Sequence, residues 1–268
     1  MKQLNIREIQ LEEVEILKKF IKFAYENNLK YYLSGGTMIG AVRHQGFIPW
    51  DDDIDIAMPR PDYDRLINLA KTKKISEELE IKSLELGNLA YPFVKIINKN
   101  IDIVSKSAED KNLWIDIFPI DAVPSDYEEQ KKLIKKVMNY KGIIYLHNTK
   151  AKDILKEKKS KKNKLMKLIL KPIASIISPK YISKKIIKLA KSNDYNESSK
   201  LGTYVWGYGM REILDRKCFE GEAKVKFEDI EAAAIIGYKD YLTSVYGDYM
   251  KLPPEEERVQ HDIVAYKK

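Results

Sequence analysis

The chain has 268 residues, with 48 Lys+Arg against 40 Asp+Glu for a formal net charge of +8, and is 44% hydrophobic and 33% charged. That is long enough for one large domain or two small ones and apolar enough for a substantial core, which excludes a chain disordered throughout. One cysteine (Cys218) and three histidines (His44, His147, His261) exclude a disulfide framework and any Cys- or His-rich metal centre, and no apolar run reaches the ~18 residues that a membrane span needs.

The N-terminal stretch is amphipathic and lacks the uninterrupted apolar core of a signal peptide, so the expectation is a soluble, reduced, cytoplasmic protein. Apolar positions from Ile9 to Ala24 recur with helical period over residues 7–27, and Asn27-Asn28 stop that helix. Tyr31-Tyr32-Leu33 predicts a short strand running into Ser34-Gly35-Gly36, followed by a helix over 37–42. Gly46-Phe47-Ile48-Pro49 is a turn into a second strand around 53–58, which Pro59 and Pro61 end before a helix over 62–71. Further strands are predicted at 80–84, 93–97, 101–104 and 114–118, then a helix over 127–147. After a basic segment, the tail reverts to short elements, with a Gly/aromatic stretch over 202–209 and a helix near 238–246. This order predicts an α/β (α+β) fold, a mixed sheet core with helical additions.

The positive charge is concentrated in one place. Residues 150–191 hold fifteen lysines, no arginine and only Asp153 and Glu157 as acids, a net +13 that leaves −5 for the rest of the chain. The lysines interleave with apolar clusters, first around Leu165, Ile169 and Ile173, then around Ile182, Ile186 and Leu189, which fits two helices separated near Pro172 and Pro179. Basic amphipathic helices suit an anionic membrane surface, where each lysine contributes ~1 kcal/mol. The alternative is that they pack on the globule and the lysines form a solvated face. Nucleic acid is disfavoured, since the segment has a single aromatic, Tyr181, and no arginine for stacking or base readout.

The chemistry concentrates between Ser34 and Arg60. Gly35-Gly36 falls where a strand turns into a helix, a place where backbone N–H groups approach a phosphate, although such turns also serve purely structural ends. Asp53-Ile54-Asp55-Ile56 carries more weight. On a strand, Asp53 and Asp55 project to one face about 7 Å apart while Ile54 and Ile56 enter the core, and the two carboxylates repel unless a cation bridges them. Mg2+ is the natural candidate, held by one or two carboxylates together with substrate phosphates, and Mn2+ shares its preference for oxygen. A calcium-loop reading of Asp51, Asp53 and Asp55 fails, because the sixth position is Ile56 rather than Gly and the twelfth is Asp62 rather than Glu. Asp116, inside the apolar run Trp114-Ile115-Asp116-Ile117-Phe118, is costly to bury unless paired or metal-bound. Gly-Gly, then Asp-x-Asp, then a lone Asp on a later strand resembles the acidic triad of nucleotidyltransferase-fold enzymes.

Several further motifs narrow that resemblance: Gly40-Ala41-Val42-Arg43-His44, Gly46-Phe47-Ile48-Pro49-Trp50, Met58-Pro59-Arg60, Phe219-Glu220-Gly221, Tyr246-Gly247-Asp248-Tyr249-Met250, Leu252-Pro253-Pro254, Arg258 and His261. With the glycine and aspartate motifs, they span nearly the whole chain and closely resemble the LicD family, which bacteria use to transfer phosphocholine and to which the fukutin-type ribitol-phosphate transferases are distantly similar. The resemblance implies a nucleotidyltransferase-like catalytic core over 1–149, the lysine-rich amphipathic segment over 150–191, and the C-terminal part of the same domain over 192–268.

It also implies a reaction: phosphocholine passes from CDP-choline to a sugar hydroxyl of a teichoic acid or other lipid-linked surface glycan precursor, releasing CMP, at the inner face of the membrane. In that scheme Asp53, Asp55 and Asp116 hold Mg2+, and Asp116 accepts the hydroxyl proton. Gly35, Gly36, Thr37, Arg43, His44, Lys95, Arg258 and His261 are the candidate substrate contacts. A quaternary ammonium binds to aromatic faces, for which Trp50, Trp114, Tyr204, Trp206 and Tyr208 are candidates. Three other readings stay open: a polyol-phosphate donor such as CDP-ribitol or CDP-glycerol, a non-catalytic membrane-associated scaffold, and, more weakly, a nucleic-acid-directed nucleotidyltransferase.

Overall fold

In the computed structural model, residues 1–105, 111–156, 160–258 and 263–268 are described. β1 (Lys2–Leu4) leads into α1 (Ile6–Glu26), whose first turn is closed reciprocally. The Asn5 side chain accepts from the Glu8 N–H at 2.9 Å and the Glu8 carboxylate accepts from the Asn5 N–H at 2.9 Å. β2 (Tyr32–Leu33) runs into α2 (Gly35–Ile39), which continues as a π-helical turn over Gly40–His44. Next come β3 (Asp55–Pro59), α3 (Arg60–Leu69), β4 (Leu79–Lys82), β5 (Val94–Ser105) and β6 (Asn112–Ala122). Four helices follow: α4 (Tyr127–Asn148), α5 (Ala151–Lys156), α6 (Lys161–Ile176) and α7 (Pro179–Ala190). The chain closes with β7 (Lys200–Gly202), β8 (Ile213–Asp215), the hairpin β9 (Glu222–Phe227) and β10 (Ile230–Ile235), α8 (Tyr238–Tyr246) and β11 (Ile263–Lys267).

These elements form the expected mixed α/β architecture. The central sheet has the order β1-β11-β5-β6-β3-β2, and β5 is long enough to pair β4 along its first half and β11 along its second. Only β3 and β6 run parallel within it, with Asp55 opposite Asp116 and Pro59 opposite Ile120. The alternating burial of β6, in which Leu113, Ile115 and Ile117 are buried between less buried neighbours, is the two-residue period that the Trp114–Phe118 run predicts. A second apolar cluster joins Leu133, Ile134 and Val137 of α4 to Ile182 and Ile186 of α7 and to Tyr204 and Val205.

Several elements depart from the sequence reading. The predicted strands at 93–97 and 101–104 are one strand, β5, with a register shift between Asn98 and Asp102. The strand expected from residue 53 begins at Asp55, so Asp53 lies in the loop before it rather than one strand position from Asp55. Pro172 does not separate two helices. It sits inside α6, at the cost of the hydrogen bond its missing N–H would have given Leu168, while Pro179 takes the first turn of α7, where no such bond is lost. The hairpin β9–β10 and the short β7, β8 and β11 were not predicted; β11 derives its stability from lying between β1 and β5, which local pattern cannot show.

At the far end of the parallel pair from Asp55 and Asp116, Arg60 and Asp121 form a buried two-pronged ion pair, Nε to Oδ1 at 2.6 Å and Nη2 to Oδ2 at 2.7 Å. The guanidinium also lies over the Tyr63 ring, 4.8 Å from its centroid. Arg60 is therefore a clamp between α3 and the end of β6. Removing one member leaves a buried charge without its partner, which costs about 3–5 kcal/mol, whereas replacing both by apolar groups is close to neutral. Urea unfolding should accordingly show Arg60→Met destabilised by about that amount, with Arg60→Met/Asp121→Leu recovering most of the loss.

Candidate active site

The sheet assembles the site from three neighbouring strands. Lys95 of β5 faces Asp116 of β6, and Asp116 faces Asp55 of β3, so the three side chains form one row across the sheet. The Lys95 ammonium is 3.6 Å from Asp116 Oδ1 and 3.9 Å from the centre of the Trp114 ring, a charge partner on one side and a π face on the other. The Asp116 N–H donates to the Ile54 carbonyl at 2.9 Å, which ties the middle of β6 to the loop that carries Asp53.

The glycine turn is built around these acids. Gly35 has φ +56°, and a Cβ there would stand 2.6 Å from Asp55 Oδ2; at Gly36 it would stand 2.7 Å from Asp51 Oδ2. Both glycines thus make room for carboxylates, and Gly35 additionally takes a backbone conformation that side-chain-bearing residues avoid. The Thr37 hydroxyl accepts from the Asp55 N–H at 2.8 Å, so the turn holds the acid from its backbone as well. Burial raises the Asp55 pKa well above the carboxylate range, with Asp53, Asp116, Asp51 and Glu212 adding repulsion. The same crowding reaches Glu13 of α1, which is buried with no hydrogen-bond partner for Oε2 and is pushed well up by burial and then by Asp53, Asp52, Asp51 and Asp116.

The remaining candidates separate into two groups. Arg43 donates to His44 Nε2 at 3.0 Å and to the carbonyls of Tyr249 and Lys251 at 2.7 and 3.2 Å, so it fastens the C-terminal segment to the π-helical turn. His44 meets the edge of Trp50 with ring centres 6.4 Å apart, and its pKa is lowered by burial and by Arg43. Arg258 lies over the other component of that cluster, 4.6 Å from the Trp50 ring centre. Arg43, His44, Trp50 and Arg258 thus form a cluster of their own, while His261 lies outside the described residues. Among the aromatic candidates, Tyr204 is fully buried with its hydroxyl donating to the Ala122 carbonyl, and Trp114 and Trp50 already carry Lys95 and Arg258. Trp206 packs against Tyr91 and Phe93, and Tyr208 is exposed beside Tyr246.

Sequence reasoning missed the group that supports the turn from below. Tyr241 of α8 accepts from the Gly35 N–H at 3.1 Å, is 3.2 Å from the Ser34 hydroxyl, and reaches Glu212 Oε1 at 3.5 Å. Glu212 also accepts from the Thr203 hydroxyl at 3.0 Å and from the Tyr208 N–H at 2.6 Å, and it occupies the space a side chain at residue 207 would need, so Gly207 is required there. Burial raises Glu212 to about 7 and depresses its neighbour Lys141, which donates to the Gly207 carbonyl at 2.7 Å, to about 8. Lys141 and Tyr241 lie on predicted helices that give no sign of these contacts, and Glu212 belongs to no periodic pattern; its hint in the sequence is the density of glycine and aromatic residues over 202–209.

A mixed sheet with a Gly-Gly turn over aspartates on neighbouring strands is the layout that resembles the nucleotidyltransferase fold. Residues 28–152 match the family described as LicD/FKTN/FKRP, nucleotidyltransferase domain. Over 267 residues, covering 98% of each chain, the protein is 31% identical to the lipopolysaccharide cholinephosphotransferase LicD of Haemophilus influenzae. Uncharacterized proteins of Rickettsia prowazekii and Rickettsia typhi are each 43% identical over 61 residues, which is 23% of this chain and 20% and 18% of theirs. The chain belongs to the LicD family of transferases.

Two outcomes follow from this geometry. Gly35→Ala forces a Cβ against Asp55 in a left-handed backbone conformation, and should lower thermal stability and abolish turnover more severely than Ala at Gly142, around which a Cβ meets nothing within 4 Å. Glu212, raised to about 7 in the fold against ~4.3 in an unfolded chain, contributes stability that is complete below the unfolded value and is lost as pH rises through the folded one. Between about pH 5 and 7.5, denaturant unfolding of Glu212→Gln should therefore lack a loss of stability, at most about 3 kcal/mol, that the wild type shows.

Proposed function

We propose that the chain transfers phosphocholine from CDP-choline to a sugar hydroxyl of a cell-surface glycan precursor, releasing CMP. The observation that carries this reading is the row of Lys95, Asp116 and Asp55 across adjacent strands, under a glycine turn that lies against the acids. The relative in Haemophilus influenzae is named a lipopolysaccharide cholinephosphotransferase, which favours a lipopolysaccharide-type glycan acceptor over a teichoic acid. The reaction would then take place in the cytoplasm, at the inner face of the membrane.

A divalent cation fits the residues present. Asp53, Asp55 and Asp116 offer hard oxygen donors, and Asp55, raised first by burial and then by the neighbouring carboxylates, is a group whose charged form a cation would stabilise. Among the described residues no group of three or more His, Cys, Asp or Glu side chains is gathered closely enough to hold a metal ion, so Mg2+ or Mn2+ would need substrate phosphate oxygens and water to complete its coordination. Bound there, the ion would neutralise charge on the diphosphate.

The side chains supply the rest. The Lys95 ammonium, pinned between Asp116 and Trp114, is placed to donate to a phosphate oxygen. Asp116 is placed to accept the proton of the sugar hydroxyl as its oxygen attacks the phosphorus of the phosphocholine, while the bond to the CMP oxygen breaks. Such a transfer depends on positioning and electrostatics more than on covalent participation. Asp116→Asn, which preserves shape and removes the proton acceptor, should cut CMP release from CDP-choline by ~10²–10⁴-fold without loss of fold. Equal rates in the variant and the wild type would refute the assignment.

A polyol donor is favoured by one observation. Four of the five aromatic candidates for a choline site are already used by the chain itself: Tyr204 in the core, Trp114 under Lys95, Trp50 under Arg258 and Trp206 under Lys141. That leaves the exposed Tyr208 to receive a quaternary ammonium. Thermal-shift comparison of CDP-choline, CDP-ribitol and CDP-glycerol separates the two: the greatest stabilisation is expected from CDP-choline, and a polyol donor that stabilises more would replace it.

A further inference from the structure

The helix α6 is amphipathic in the opposite sense to a helix resting on a water-facing surface. Toward the protein it turns Leu168 and Ala174 together with three lysines. Lys164 donates to the Leu155 carbonyl at 2.8 Å, Lys171 donates to the His147 carbonyl at 2.8 Å, and Lys167 lies over the Tyr145 ring at 4.5 Å. Away from the protein it turns Leu165, Met166, Ile169, Leu170, Ile173 and Ile176, which are 44–85% exposed. At about 100° per residue these six lie on one side of the helix. The neighbouring α7 is ordinary by comparison: Ile182, Ser183, Ile186 and Ala190 are buried, and Lys184, Lys185 and Lys188 are exposed. The two halves of the lysine-rich segment therefore behave differently, and only α6 leaves a continuous apolar face in contact with water.

We propose that this face of α6 docks on an anionic lipid surface, lying in its plane. Charge selects that occupant. Residues 150–191 carry a net +13, and the exposed Lys161, Lys162, Lys184 and Lys185 flank the apolar face or lie on the adjacent helix. A second copy of this chain docked through the same face would bring two such segments together, whereas anionic headgroups neutralise them. The length agrees: sixteen residues span about 24 Å, less than the ~30 Å hydrocarbon core, so the helix is suited to lie along the headgroup boundary rather than to cross it. No helix among the described residues is long and apolar enough to cross. α4 connects this surface to the active site. Its Ile134 and Met138 pack on Gly209, three residues from Glu212, while its Tyr145 and His147 contact α6. About 14 Å of helix axis separates residues 138 and 147, which sets the aromatic loop at a short, fixed distance from the docking face.

The inference does not depend on the donor or acceptor proposed above, and its test is kept separate from catalysis. Flotation would be measured with vesicles of phosphatidylcholine alone and of phosphatidylcholine and phosphatidylglycerol in roughly a two-to-one mixture, for the wild type, Ile169→Gln/Ile173→Gln and Asp116→Asn. The wild type and Asp116→Asn should float with the anionic vesicles at least about tenfold more than with neutral ones, and the double variant should lose about tenfold or more of that binding. Both altered side chains are exposed, so circular dichroism melting should match the wild type, and Lys161→Gln/Lys162→Gln provides a second variant that should weaken anionic binding in the same direction. Undiminished flotation of the double variant would overturn the proposal. So would light scattering that shows a wild-type dimer, converted to monomer by Ile169→Gln/Ile173→Gln, with no vesicle binding by either protein.

Discussion

The candidate active site depends on holding several carboxylates together where the sheet brings their strands within hydrogen-bonding distance. Adjacent strands lie about 4.8 Å apart, and two unit negative charges at about 5 Å repel by ~3 kcal/mol at an effective dielectric of 20. That is a sizeable fraction of the ~5–15 kcal/mol by which a domain is stable. The surrounding structure can be understood as compensation. Lys95 places one positive charge in the same row, the Thr37 hydroxyl and the Ile54 carbonyl fix the backbones of Asp55 and Asp116, and two glycines leave the volume that the carboxylates fill. Burial first and the neighbouring carboxylates second still hold the pKa values of Asp55 and Glu13 above the ordinary range. A site that resists being charged in the free protein is one in which a cation or a proton acceptor role has a physical basis.

Such a site needs a rigid frame, and the fold supplies it from both directions. At the far end of the parallel pair, Arg60 and Asp121 tie α3 to β6, so β3 and β6 are held at both ends of their shared register. Beneath the glycine turn, Tyr241 and Glu212 connect α8, the turn and the aromatic loop through one chain of hydrogen bonds. Glu212 is the hub, because one carboxylate accepts from a hydroxyl and a backbone N–H of the aromatic loop and from a phenol of α8. A movement of the loop carrying Trp206 and Tyr208 would therefore be felt at Gly35.

The core of the site was legible in the sequence because its signals are local. Gly35-Gly36, Asp55 and Asp116 announce themselves by residue type within apolar or turn-forming runs, and α1, α4 and α8 by period. The rest is set by tertiary contact. That the turn's glycines accommodate acids follows only from their distance to Asp55 and Asp51, and that Arg43 fastens the C-terminal segment follows only from where Tyr249 and Lys251 lie. Glu212 and Tyr241 stand 177 and 206 residues from Gly35, a separation over which no spacing rule operates. Asp53 was displaced from its expected strand position because the ladder of β3 starts two residues later, and strand ends are decided by the partner strand rather than by propensity.

The division of charge acquires its meaning from the same distinction between composition and placement. Period and composition alone make α6 and α7 look alike, each a run of isoleucines and lysines. Packing separates them. α7 commits its apolar side to Val137 and its neighbours in the second core, and its lysines are left to water. α6 uses its lysines to reach carbonyls and a tyrosine ring on α4 and the segment after it, which turns those ammonium groups away from its apolar side. Long lysine stems can bury their methylenes while their ammonium groups find carbonyl oxygens, so this inversion is chemically inexpensive on the inner side. On the outer side it leaves six large apolar groups facing water, which ordinary burial would avoid. The body of the protein is acidic where its chemistry lies, and its excess of positive charge is carried by the segment whose apolar face remains to be covered.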